Sequence, residues 1–126
     1  GIGGGMVING QLWTGASGYC SEVGFLPVYE RLNKGSLGLP PAEHISELYA
    51  RLIQIYAVTV NPHMMVLYRH PLLEGRLDEI RRLCASYLPS KAIPSIELSY
   101  DYQQDYEKGL FTVAKSMGQA VSEGGL

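Results

Sequence analysis

Between Pro41 and Val58, apolar side chains recur at intervals of three and four, on Ile45, Leu48, Tyr49, Leu52, Ile53 and Tyr56. That spacing places them on one stripe of a helix and predicts an amphipathic element that covers a core. The pattern then changes. Past Asn61-Pro62-His63 comes an unbroken apolar run, Met64 to Tyr68, of the kind required by a strand in a sheet covered on both faces. A second helical stripe follows on Leu73, Leu77, Ile80, Cys84 and Leu88, with Arg76, Asp78, Arg81 and Arg82 forming its solvated face. The segment IPSIELSYD, 93–101, reads as the next strand, and Asp105 to Gln119 as a last helix on Tyr106, Leu110, Val113 and Met117.

Ahead of the long helix the periods are shorter. Residues 6–13, MVINGQLW, predict a hairpin turning on Asn9-Gly10, the dipeptide that supplies the positive φ angles of a tight type I′ turn. The segment 14–24, TGASGYCSEVG, suits a loop where backbone approaches a ligand or another backbone closely. NKGSLGLPP, 33–41, has the glycines and prolines of a connector ending at a helix start. The expected organisation is one domain: a glycine loop and hairpin (1–25), a connector (26–41), an α/β layer (42–121) and a frayed tail (122–126). Two hairpin strands followed by alternating helices and strands describe an α/β fold with at least one parallel pair.

Composition narrows the function classes. A chain of 126 residues that is 46% hydrophobic can bury roughly two-thirds of its unfolded surface in one core. Its net charge is only −2, with no block of like charges, so this segment carries no electrostatic footprint for nucleic acid or membrane. The least charged stretch, Leu52 to Tyr68, is broken by Gln54, Asn61, Pro62 and His63 and is no membrane span. No basic region followed by an apolar core opens the chain, and the cytoplasm is the expected location. Cys20 and Cys84 are too few for a disulfide scaffold or a four-ligand zinc site, and read as reduced, packed thiols.

The first residues add a motif. Gly1, Gly3, Gly4 and Gly5 form a glycine cluster, then come Asn9-Gly10, Gly15-Ala16-Ser17-Gly18 and Glu22-Val23-Gly24. This order resembles the C-terminal lobe of the ROK family, the sugar kinases and sugar-responsive repressors of the actin-like ATPase superfamily. That family has a glycine-rich loop between two hairpin strands, then NG and a segment G-A-x-G-x-x-x-E-x-G-H. Farther on, YAVTVNPHMMVLY (56–68) and YEKGLFTVAKSM (106–117) resemble its helix into N-P and its closing glycine-containing helix. The resemblance implies a ribonuclease H-like lobe, with Glu22 and Gly18 as sugar-binding positions. It also implies that Gly1, Gly3, Gly4 and Gly5 are inherited from a phosphate loop, whose amides cradle phosphate where no side chain blocks approach. By itself a glycine run is equally a tight turn or a cloning scar, and a loop glutamate is equally a solvated one.

Departures from the family pattern matter as much. Phe25 stands where the family has a histidine that contacts sugar and helps hold zinc, and phenylalanine offers no lone pair. The family's cysteine cluster is absent, so no metal is expected. Tyr68-Arg69-His70-Pro71 replaces the glycine cluster against which adenosine lies, putting bulk and charge where a nucleotide would sit. Arg69 and His70 offer an anion contact or, more commonly, a plain surface loop. His44 and His63 have no acidic or cysteine partner at ligand spacing and read as structural or solvated.

These readings converge on a non-catalytic lobe that senses a small sugar or forms dimers within a transcriptional regulator. DNA would be reached only through a segment outside this chain, and no cofactor is expected. The alternative is the lobe of a sugar kinase using Mg-ATP, with its catalytic aspartate in another lobe; a scaffold that binds neither ligand is a third. In the family a strand precedes the glycine loop. Without that first strand, the edge from Met6 to Leu12 would present unpaired backbone groups, and a homodimer or higher assembly through that edge or an apolar helix face is expected.

Overall fold

Asn9 (φ 50°) and Gly10 (φ 78°) both take the left-handed conformation, and the chain reverses there as a type I′ turn requires. They join β1 (Gly4–Ile8) to β2 (Gln11–Trp13), with Met6 opposite Trp13, Val7 opposite Leu12 and Ile8 opposite Gln11. The computed structural model describes residues 4–33, 41–68, 70–99 and 120–122. Beyond the hairpin these hold α1 (Pro27–Asn33), α2 (Ala42–Thr59), β3 (Met64–Tyr68), α3 (Leu77–Tyr87), β4 (Ser95–Ser99) and β5 (Ala120–Ser122). The expected last helix, Asp105 to Gln119, lies outside the described residues.

The strands form one mixed sheet in the order β2-β1-β5-β3-β4. β3 runs parallel to both β4 and β5, whereas β1 runs antiparallel to β2 and β5. The general α/β class and the expected parallel pair are therefore present. A parallel neighbour needs a crossover, and α3 supplies the one between β3 and β4.

Three expectations need correction. The Met6 edge is not open: β5 pairs with β1 on the side away from β2, placing Gly4 opposite Ser122, Gly5 opposite Val121 and Met6 opposite Ala120. The slot expected to be empty is filled by three residues from the far end of the chain. Ser122, assigned to a frayed tail, is a strand residue. And the stretch 26–41 is more than a connector, because Pro27 to Asn33 form a helix. Proline at its first position brings a preset φ and sacrifices an amide that would be unpaired anyway. Tyr29 and Leu32, three apart, bury that helix's inner side.

The core lies between the helices and one face of the sheet. Ile45, Leu48 and Ile53 of α2 are fully buried against Ile80 and Cys84 of α3 and against Met65, Leu67 and Ile96 of the strands. Side chains alternate along β3, so Met65 and Leu67 join this cluster while Tyr68, with Val66, packs with Val7 in a second one. Both sides of that strand are apolar for this reason. Polar ties fix the helices: Ser46 Oγ donates to Glu79 Oε2 at 2.9 Å, the Arg51 guanidinium lies 3.5 Å from the Tyr87 ring centroid, and Arg81 donates to the Ile96 carbonyl at 2.9 Å. The long helix ends where Tyr56 O accepts from the amides of both Val60 and Asn61. Asn61 (φ 49°) adopts the left-handed conformation there, and Pro62 cannot continue the helix.

Two outcomes follow. Ile53→Ala, which opens a cavity in the centre of the core, should lower unfolding free energy by about 2–5 kcal/mol in urea titrations, whereas Val58→Ala on the exposed side should change it by less than about 0.5 kcal/mol. Burial pushes the Cys84 thiol up to about 11 from its ordinary 9.0. The unfolded chain therefore ionises first, so the contribution is complete below pH 9.0 and is lost as pH rises toward about 11. Urea titrations across that window should show a decline in stability for the native protein that is shallower in Cys84→Ala.

Candidate functional site

The glycine-rich loop expected to approach a ligand folds through a series of tight local turns. Cys20 N–H donates to the Thr14 carbonyl at 3.0 Å, closing the loop on itself, while Gly15 (φ 80°) and Gly18 (φ 82°) take conformations open chiefly to glycine. Ser21 does the same with φ 70°, at a cost of about 1–2 kcal/mol for a residue with a Cβ. Glu22 (φ −77°, ψ 73°) then occupies the corner of an inverse γ-turn, closed by the Val23 amide on the Ser21 carbonyl at 2.9 Å. A short 3₁₀ turn, Val23–Phe25, leads directly into α1.

This loop lies against the last turns of α2, and between them is a cleft of about 240 Å³. Its polar lining comes from Cys20, Ser21 and Glu22 on the loop and from Tyr56 and Thr59 on the helix. Met6, Val23, Leu26, Ile55 and Val60 supply the apolar wall, and Tyr19, largely exposed, stands at the rim. The volume falls below the about 300–1,000 Å³ of pockets for drug-sized ligands, which suits something smaller.

The polar groups differ in what they have left to offer. The Tyr56 phenol and the Ser21 side chain are hydrogen-bonded to each other, tying the strained loop to the helix. Burial holds that phenol above its usual range, with Cys20 acting in the same direction and the Ser21 bond opposing. Thr59 Oγ1 already donates to the Ile55 carbonyl at 2.6 Å. The Glu22 carboxylate is exposed and has no side-chain partner among the described residues. It is the charged acceptor of the cleft.

Other sequence-derived positions fall elsewhere. Gly18 does not line the cleft; its positive φ shapes the loop, and nothing stands within 4 Å of where a Cβ would be. Gly4 and Gly5 are strand residues in β1, and Gly1 and Gly3 lie outside the described residues. Phe25 is 78% exposed, with its ring centroid 6.0 Å from that of Tyr19. Tyr68 is buried at the end of β3, His70 Nδ1 accepts from the Leu72 amide at 3.2 Å, and Arg69 is outside the described residues. Cys20 and Cys84 are both free thiols. Among the described residues no three His, Cys, Asp or Glu side chains gather into a group that could hold a metal.

Sequence reasoning placed Tyr56 in the core stripe and gave Met6 and Val60 no site role. The spacing was right: Tyr56, the last member of its stripe, packs against the core, while its phenol lies beside Ser21 in the cleft. A phenol closing an otherwise aliphatic stripe was the available signal. Compared with protein-family models, curated proteins and solved structures, the chain finds no match.

Replacing Tyr56 by Phe removes the bond to Ser21 while keeping the ring. The variant should lose about 1 kcal/mol of stability. Amide exchange, followed residue by residue, should accelerate at Cys20, Glu22 and Val23 while the central turns of α2 keep their protection.

Proposed function

We propose that this chain is a sugar-sensing, non-catalytic lobe of ROK type with a ribonuclease H-like fold, belonging to a cytoplasmic transcriptional regulator. The observation that carries the reading is Glu22. It is the acid that matches the family's sugar-binding glutamate, it sits at the mouth of a small cleft, and its carboxylate is unpartnered among the described residues. A carboxylate in that state accepts hydrogen bonds from adjacent hydroxyls, and Ser21 and Tyr56 beside it can extend the network. The mixed sheet, with an antiparallel hairpin and a parallel pair joined by a helix, is compatible with the proposed fold.

Non-catalytic use is favoured by what stands in place of the nucleotide contacts, beginning with Tyr68, whose ring is committed to packing with Val7. The reading includes self-association. Its basis is now the outer side of β2, the sheet's edge among the described residues, where Leu12 and Trp13 are both about half exposed. DNA contact belongs to a segment outside this chain.

Calorimetric titration of the protein with a panel of aldopyranoses and their simple glycosides tests the reading directly. One or more should bind saturably, and Glu22→Gln should weaken that binding roughly ten- to a hundredfold, as expected for losing hydrogen bonds to a charged acceptor. An unchanged unfolding midpoint in the variant would place the loss in the site. Equal affinity for native protein and Glu22→Gln would remove Glu22 from the site.

A further inference from the structure

We infer that the cleft's ligand is a glycoside with a small apolar aglycone, an aryl glycoside being the simplest form, and not a free hexose. The inference rests on the sugar reading of Glu22 and deepens it. Its basis is how polar and apolar groups are divided within the cleft. The polar atoms are concentrated: Cys20, Ser21 and Glu22 are consecutive, and the Tyr56 phenol is bonded to the middle one. Tyr19, at the rim, adjoins the same run, and Thr59 has given its hydroxyl proton to the Ile55 carbonyl and keeps only acceptor capacity. The rest of the wall, from Met6, Val23, Leu26, Ile55 and Val60, has no side-chain hydrogen-bonding group to offer.

A free hexose carries hydroxyls around its ring and at its anomeric carbon. With some of them on Glu22 and Ser21, those turned toward Met6, Ile55 and Val60 would lose water and gain no partner, which opposes binding. An aglycone at the anomeric position reverses that balance, because the same wall then removes apolar surface from water. Trp13 extends this side. It is opposite Met6 in the hairpin ladder, so both side chains stand on the same face, and more than half of it is exposed. An aromatic aglycone passing over Met6 meets that indole next, where offset or edge-on stacking is available.

Trp13 is the chain's single tryptophan, so its fluorescence reports occupancy of that end without a label. The probes are matched methyl and phenyl β-glycosides of glucose, galactose, mannose and xylose, with phenol as the aglycone alone. For at least one sugar the phenyl glycoside should bind at least tenfold more tightly than its methyl partner and shift the Trp13 emission, while phenol alone gives no saturable change. Val60→Ser, at an already exposed position past the end of α2, should shrink the phenyl-to-methyl ratio. Glu22→Gln should weaken both members and leave their ratio unchanged. Equal binding of methyl and phenyl partners overturns the aglycone inference and leaves the sugar reading intact. Phenol binding as tightly as the phenyl glycosides, or no binding in any pair, overturns both.

Discussion

The burial of one side of α2 against α3 and the helix-facing side of the sheet is the constraint on which the other features depend. Ile45, Leu48 and Ile53 leave no surface to water, so the helix cannot rotate or slide without opening its core. Ser46 with Glu79, and Arg51 with Tyr87, fix the same packing from its polar margins. Once that face is fixed, the end of α2 and its cap residue place Ile55, Tyr56, Thr59 and Val60 as one wall of the cleft. The loop supplies the other wall, held there by the Tyr56–Ser21 bond. A rigid helix and a strained loop thus meet at one hydrogen bond, with the free carboxylate of Glu22 next in sequence.

How much of this was legible depends on whether the relevant signal was local. The hairpin was readable because Asn9-Gly10 states its own dihedrals, and β3 because an apolar run ends at polar residues on either side. The α2 stripe was long enough for its period to stand out, and the observed element differs by one residue at each end. Seven residues of α1 cannot show a period in the same way, and the glycines and prolines that follow them dominated the reading of that stretch. Nothing local could announce β5: Ala120 and Val121 close the expected α/β layer and Ser122 opens what looks like a tail, and only pairing with β1 and β3 makes them a strand.

The cleft shows the same division. Glu22 was singled out from a motif in consecutive residues, and its local geometry, a γ-turn corner after a left-handed serine, is also set by neighbouring residues. Its partners were not identified, because Met6, Tyr56 and Val60 come near it only through tertiary packing. Gly18, chosen from the same motif, takes a left-handed φ in the turns ahead of the acid. A motif identifies which residues travel together, whereas the packing decides which of them face the same space.

The central position of β5 also sets an order of events. Among the described residues, its three residues are the link within the sheet between the hairpin β1–β2 and the parallel pair β3 and β4. A two-stranded hairpin alone is marginal in water, so β1 and β2 gain a stable neighbour only when Ala120 to Ser122 arrive. During synthesis, which proceeds from the N-terminus, the helices and the β3–α3–β4 unit precede β5 and can assemble before it, while β1 and β2, made before them, wait for a partner made after them. The contact between Met6 and Ala120 closes a loop across most of the chain, the kind of non-local step that slows folding. The wall that Met6 gives the cleft is therefore completed only after that step.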